Sequence, residues 1–135
     1  MIHRVIQIKD WVVDFLFAVK DYDREGVLAC LYEIGAPSQV LSRASSIMQG
    51  HKYNRGFTYG NPNLRRALVV IGPTTSGKQF QNTVAHEIDH LADIIATDLG
   101  VKYEQEGTAY LVGDTTMVLS DIVCHLGCDC VRKQN

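Results

Sequence analysis

The chain has 135 residues, of which 46% are hydrophobic and 21% charged, so it has average globular composition and enough length for one core of ordinary size. Its formal net charge of −2 gives no electrostatic reason to expect nucleic acid as a partner. The longest apolar stretches, residues 11–19 and 67–71, are too short to span a membrane, and the first residues lack the pattern of a secretory signal. We therefore expect a cytoplasmic protein with neither nucleic-acid nor membrane partners.

The first part of the chain has the periodicity of three helices. Apolar residues recur at helical spacing in residues 10–20, 22–34 and 38–49. The second of these segments is followed by Gly35 and the third by Gly50, and glycine commonly ends helices. We expect these helices to pack around the core.

Two neighbouring strands are predicted next. Residues 57–59 and 64–71 lie on either side of Gly-Asn-Pro-Asn at 60–63, which is a strong turn sequence. The second segment also has the β-branched residues that strands favour. The pattern indicates a hairpin or at least two adjacent strands.

Two long helices are predicted to complete the chain. The first covers residues 76–99 and ends at Gly100, and the second covers residues 103–126 and ends at Gly127. The elements together predict an α+β fold with N-terminal helices, a short β-sheet or hairpin, and two further helices. We expect a single domain over residues 1–126.

The cysteines do not have the spacing of a disulfide-stapled scaffold. Cys30 stands alone, whereas three others lie close together near the C-terminus: Cys124, Cys128 and Cys130. With His125 these three could form a thiolate-rich metal site, but structural zinc sites usually pair two separated ligand couples. We favour free thiols, and treat residues 127–135 as a cysteine-containing tail.

Two chemical patterns overlap at the start of the long helix. Gly72 to Lys78 has the G-x-x-x-x-G-K spacing of a phosphate-binding loop, but Gln79 stands where a hydroxyl should bind magnesium. Ser76 followed three residues later by Gln79 is also a capping box, in which each side chain satisfies a backbone N–H at the helix start. The capping box accounts for Gln79, so nucleotide binding is the weaker interpretation.

The second pattern is His86-Glu87-Ile88-Asp89-His90, an H-E-x-x-H sequence. A spacing of four places both imidazoles on one helix face, one turn apart, which suits two ligands of a tetrahedral zinc ion. Glu87 is then positioned to take a proton from the water that attacks a substrate. The pattern predicts Zn²⁺ as cofactor, His86 and His90 as ligands, and Glu87 as general base.

A third protein ligand is needed, because catalytic zinc normally takes three. Asp93 shares the face of His90, but its short side chain on the same helix would have difficulty completing the coordination, so we expect it to orient an imidazole. Glu106 on the next helix is the preferred ligand. Asp114 replaces it if the two helices pack antiparallel over their full length, and Glu104 ranks third.

The face of the second helix that meets the zinc helix is predicted from the same spacing. A stripe runs from Glu106 through Tyr110 to Met117, and Ala109 with Gly113 forms a row of small residues that permits close approach. The hydroxyl of Tyr110 is the candidate donor to a developing oxyanion, although a tyrosine on a packed helix is more often a core residue.

The HEIDH sequence, with a strand before it and EGTAYLVG after it, resembles the gluzincin branch of zinc metallopeptidases and small zincin-like proteins of bacteria and their mobile elements. The resemblance covers residues 64–121 and implies a small zincin fold that hydrolyses peptide bonds in a peptide or protein substrate. It also implies that His86, His90 and Glu106 are the metal ligands and Glu87 the general base.

An extended substrate is expected to pair with the edge of the strand over residues 64–71, as it does in zincins and at edge strands generally. The alternative class is an interaction domain that binds zinc without turnover. Glu87 separates the two, because a purely structural site needs no general base.

Overall fold

The computed structural model describes residues 1–20, 23–49, 56–74, 76–100 and 106–127. Within these ranges the chain forms a four-stranded sheet and helices, which confirms the α+β class. The elements in chain order are β1 (Ile2–Ile8), β2 (Trp11–Phe17), α1 (Arg24–Glu33), α2 (Ser38–Gln49), β3 (Phe57–Asn61), β4 (Arg66–Val70), α3 (Gly77–Leu99), α4 (Glu106–Val118) and α5 (Ser120–Leu126).

The sheet has the order β1-β2-β4-β3. β1 and β2 are antiparallel, β2 and β4 are parallel, and β3 and β4 are antiparallel. β4 therefore has a partner strand on each side, so the prediction that residues 64–71 offer a free edge to a substrate is wrong. Among the described strands the edges are β1 and β3.

The helix predicted over residues 10–20 is also wrong, because residues 11–17 form β2. Five consecutive residues of this strand, from Val13 to Phe17, are buried. A short run of this kind is equally compatible with a buried strand and a buried helix, and the pairing partners decide. Those partners are β1, for which the sequence gave us no prediction, and the distant β4.

The predicted hairpin is confirmed as β3 and β4. Phe57 pairs with Val70 at its open end and Asn61 with Arg66 at its closed end. The Asn61 side chain helps to hold the turn, since its Oδ1 accepts from the Asn63 backbone N–H at 3.0 Å and its Nδ2 donates to the Ile34 carbonyl at 2.9 Å.

The first two helices, predicted over residues 22–34 and 38–49, are confirmed as α1 and α2. They share one apolar core with β2 and β4. Its buried members are Leu16, Val19, Val27, Leu31, Ile34, Ala36, Ala44, Met48, Leu68 and Val70. Gly50 and the predicted loop at residues 51–55 lie outside the described residues.

The start and end of α3 are where the sequence predicted them. Ser76 is the N-cap, and its Oγ accepts from the Gln79 backbone N–H at 3.1 Å. Gly100 is the C-cap in the left-handed conformation, with φ 72°. Local side-chain and backbone chemistry determines both ends.

The last predicted helix is interrupted at Leu119 and forms α4 and α5. The Oγ1 atoms of Thr115 and Thr116, just before the break, accept no helical N–H but donate to the carbonyls of Leu111 and Val112, at 2.7 and 2.8 Å. Such i−4 bonds distort helices. The Leu119 N–H still donates to the Thr115 carbonyl at 3.1 Å, so the helix bends without a complete loss of its hydrogen bonds.

The chain divides into two compact units, Met1–Pro73 and Thr74–Asn135. The first contains the sheet with α1 and α2, and the second contains α3, α4 and α5. The single domain over residues 1–126 stays a prediction. Residues 128–135 of the predicted tail, with Cys128 and Cys130, lie outside the described part of the chain. No helix in that part is long and apolar enough to cross a membrane.

Candidate metal centre

α3 brings the two predicted histidine ligands together. The Nε2 atoms of His86 and His90 are 3.0 Å apart, and both side chains are exposed. The ring centroids are separated by 4.5 Å and the ring planes are perpendicular. One helical turn therefore points one nitrogen of each ring at the same spot, as the i, i+4 spacing predicted.

Glu87 lies beside this pair but on the buried side of the helix, with 4% of its surface exposed. One ligand atom each from His86, Glu87 and His90 lies within 4.8 Å of the others. Its neighbours in sequence and one turn on, Ile88 and Leu91, are buried apolar residues. We call these three residues the His86–Glu87–His90 cluster.

The cluster fits a divalent metal ion. Ligand nitrogens at 2.0–2.1 Å from a tetrahedral zinc ion are separated from each other by about 3.3 Å. The observed 3.0 Å requires the rings to open by only a few tenths of an ångström. Without a metal the same distance is a hydrogen bond in which one ring donates and the other accepts. A cation held between the rings takes the place of that proton.

The cluster has no further ligand among the described residues, since no other His, Cys, Asp or Glu there joins it. Asp93 and Asp114 are both exposed and both outside it. Glu104 and the side chain of Glu106 lie outside the described residues, so their roles as ligands stay predictions.

The backbone of α4 and α5 bears on the choice of the third ligand. A Cβ at Gly127 would lie 3.5 Å from Nε2 of Gln81 and 3.6 Å from Cδ1 of Phe80, so the end of α5 lies beside the start of α3. α4 and α5 also pack on α3. The chain from α4 to α5 therefore returns antiparallel along α3.

Helix lengths then give the height of each carboxylate. At 1.5 Å per residue the segment from Glu106 to Gly127 is about 30 Å long, which places Glu106 near the C-terminal end of α3, more than two turns beyond His90. Asp114 comes level with the turn after His90. Asp121 comes level with His86, and the sequence analysis gave it no metal role. The arrangement favours the later carboxylates over Glu106.

The predicted contact face of α4 is wrong. Thr108, Leu111 and Thr115 are buried, whereas Tyr110 is 66% exposed and Met117 is 69% exposed. Both faces of α4 carry apolar residues, so periodicity alone could not select the buried one. Gly113 has nothing within 4 Å of the position of an added Cβ, and it permits no close helix contact. The oxyanion role of Tyr110 stays a prediction.

The first unit contains a polar cluster that the sequence analysis missed. Asp14, in the middle of β2, accepts from Nε2 of His3 at 2.9 Å and from Nη2 of Arg66 at 3.4 Å. The buried Nε of Arg66 has no hydrogen-bond partner among the described residues. The one sequence signal was an aspartate inside an apolar run, because its partners come from other strands.

Cys30 lies close enough to this cluster for its charges to be felt. Burial raises the pKa of the Cys30 thiol, and the negative charges of Asp14 and Glu33 raise it further, against a smaller lowering by Arg66. A raised pKa disfavours the thiolate, which is the nucleophilic form. Cys30 therefore has the properties of a packing residue.

The H-E-x-x-H turn is thus the place where the described chain assembles metal-ligand chemistry. Its two imidazoles and one buried carboxylate come from a single helical turn, independently of the rest of the fold. Neither the known protein families, nor curated protein sequences, nor solved structures contain a match to this chain, so the zincin resemblance rests on the motif and the site is interpreted from its own residues.

Proposed function

We propose that the protein is a zinc-dependent metallopeptidase that hydrolyses peptide bonds at the His86–Glu87–His90 cluster. The observation that carries the proposal is the convergence of two imidazole nitrogens, 3.0 Å apart, with a carboxylate within 4.8 Å. Imidazole with carboxylate is a donor set that zinc accepts in catalytic sites. His86 and His90 are exposed, so a substrate can reach the ligands from solvent.

The three side chains divide the work. Zinc held by His86 and His90 would supply Lewis acidity, which polarises the scissile carbonyl and makes water easier to deprotonate. A Glu87 carboxylate oxygen takes the proton from the water that attacks the carbonyl carbon. It then gives that proton to the amide nitrogen as the C–N bond breaks, so the carboxylate is regenerated. Burial on α3 restricts the rotamers of Glu87 and keeps its oxygens near the reaction.

A zinc-binding interaction domain is the competing function, because the same histidines would serve it. Glu87 favours hydrolysis. A buried carboxylate costs free energy unless it is partnered, and a site that only holds metal does not require one at this position. We also place the protein in the cytoplasm as part of the proposal, which its free thiols at Cys30 and Cys124 support.

The test compares metal content and hydrolysis in four proteins: wild type, His86→Ala, His90→Ala and Glu87→Gln. We expect one zinc per chain in the wild type and in Glu87→Gln, and loss of zinc in each histidine variant. Glu87→Gln should reduce hydrolysis of an unfolded protein substrate by about 10²–10⁴-fold, the usual contribution of a general base. A wild-type protein that binds no zinc, or a Glu87→Gln variant with full activity, would refute the proposal.

The third ligand is identified by the same measurement. Glu106→Gln, Asp114→Asn and Asp121→Asn are compared by zinc affinity. One of the three should bind zinc about 10-fold or more weakly, and by helix height we expect this at Asp114 or Asp121.

A further inference from the structure

The two compact units have opposite net charges. Residues Thr74–Asn135, which include the His86–Glu87–His90 cluster, have nine acidic and four basic residues and a formal charge of −5. Residues Met1–Pro73 have six acidic and nine basic residues and a formal charge of +3. The small net charge of the whole chain therefore conceals an acidic unit around the site, and such asymmetry bears on what each unit attracts.

The acidic residues are closest to the site on α3 itself. Asp89 and Asp93 are exposed, and each follows a cluster histidine by three residues. Residues three or four apart on a helix have Cβ atoms about 5–6 Å apart, so these carboxylates border the imidazoles. The single basic residue of α3 is Lys78, which precedes His86 by eight residues, about 12 Å along the helix.

A bound metal does not reverse this charge. A divalent ion adds two positive charges, and the carboxylates of Glu87, Asp89 and Asp93 together offset more than that. A peptide lying over the cluster therefore meets a surface of negative potential on the exposed side of α3. Lys or Arg side chains next to the scissile bond are attracted there, and Asp or Glu side chains are repelled.

We propose that the substrates of this site are cationic peptide segments, in which Lys or Arg next to the scissile bond pairs with Asp89 and Asp93. The inference rests on the proposed function and specifies its substrate class. Asp89 and Asp93 act here as specificity determinants of the cluster; they do not form a separate binding site. Exposed ion pairs contribute modestly and are screened by salt, so the preference is one of selection between peptides.

The test uses two fluorescein-labelled peptides of about twelve residues that are identical except that each Lys in one is Glu in the other. Binding to zinc-loaded Glu87→Gln protein is measured by fluorescence anisotropy, so that affinity is read without turnover. We expect the Lys peptide to bind at least about tenfold more tightly, and its affinity to fall as NaCl rises from about 50 to about 500 mM. Equal affinities, or tighter binding of the Glu peptide, overturn the proposal.

The variant Asp89→Asn/Asp93→Asn, in the same Glu87→Gln background, separates local from general attraction. It should weaken binding of the Lys peptide by about threefold to tenfold, given up to about fivefold for each exposed ion pair. Asp10→Asn/Glu33→Gln removes two exposed acidic residues from the other unit and is the matched control, with unchanged affinity expected. A loss in the control equal to that in the α3 variant also overturns the proposal.

Cleavage by the zinc-loaded wild type distinguishes the two proposals. Hydrolysis of both peptides at equal rates refutes the charge preference and leaves the peptidase standing. Absence of any hydrolysis, with the anisotropy difference and its dependence on Asp89 and Asp93 intact, refutes the peptidase and leaves a zinc-binding domain that recognises cationic peptides.

Discussion

His86 and His90 are exposed, whereas Glu87 between them in sequence is buried. Successive residues of an α-helix are about 100° apart, so one turn at the border of the buried face can present ligands outward and hold a carboxylate inward. This division was predictable from the sequence, because it depends on the spacing within one helix. The third ligand was not, because it depends on how a second helix returns along the first.

The cluster of His3, Asp14 and Arg66 shows the limit at the scale of single residues. Its members come from three strands, and Asp14 is 52 positions from Arg66. An aspartate in an apolar run indicates a buried polar contact, but only the sheet register identifies the partners. The sequence therefore signalled that a partner was needed and could not name it.

We predict that Asp14→Asn lowers the free energy of unfolding by about 1–2 kcal/mol, measured by urea denaturation. The Asp14 side chain is 12% exposed, while His3 and Arg66 are 44% and 39% exposed, so solvent screens the pairs in part. Asp10→Asn is the control, because its ion pair with Arg65 at 3.4 Å is exposed and should contribute about 0.5 kcal/mol or less. Equal losses in the two variants would contradict the interpretation.

A second residue-scale prediction concerns Cys30. Because burial and the charges of Asp14 and Glu33 raise its pKa, iodoacetamide should alkylate Cys30 more slowly in the folded chain than in urea at the same pH. The folded rate should keep rising with pH beyond the range where an ordinary thiol has fully ionised. Peptide mapping by mass spectrometry follows Cys30 separately, and Glu33→Gln should speed the reaction. A folded rate equal to the unfolded rate would disprove the assignment.

At the scale of elements, α3 was predictable because both of its ends depend on local chemistry at Ser76 and Gly100. β2 was not, because a short apolar run becomes strand or helix according to its neighbours, and one neighbour is β4, some 50 residues away. α4 is an intermediate case. Its existence was predictable, but its buried face was not, since apolar residues occur around the whole helix.

Two glycines test this account of the helices. Gly100→Ala should destabilise the chain by about 1 kcal/mol, because alanine is strained at the left-handed φ of 72°. Gly113→Ala should stabilise it by about 0.5–1 kcal/mol, because Gly113 is inside α4 with open space around it. Both are measured by chemical denaturation. A destabilising Gly113→Ala would support the close helix contact that the sequence suggested.

At the scale of the whole molecule, zinc should stabilise the folded chain, because the cluster exists only when α3 is formed. At a free zinc concentration of about one hundred times Kd, the free energy of unfolding should rise by about 2.7 kcal/mol. For a chain of this size that raises Tm by about 10 °C. Thermal melts with zinc and with EDTA measure the difference, and His86→Ala should show none. A zinc-dependent rise of the same size in His86→Ala would place the metal elsewhere.

The parallel pairing of β2 with β4 has a consequence for synthesis of the chain. Val12 pairs with Arg66, so the strand that completes the second side of β2 is made 54 positions later. At about 5–20 residues per second, a ribosome leaves that side unpaired for about 3–10 s. During this interval WVVDFLF is an apolar strand with an open edge, the kind of segment that aggregates or recruits chaperones. Recombinant yield should therefore depend on translation rate and chaperone supply more than on the stability of the finished fold.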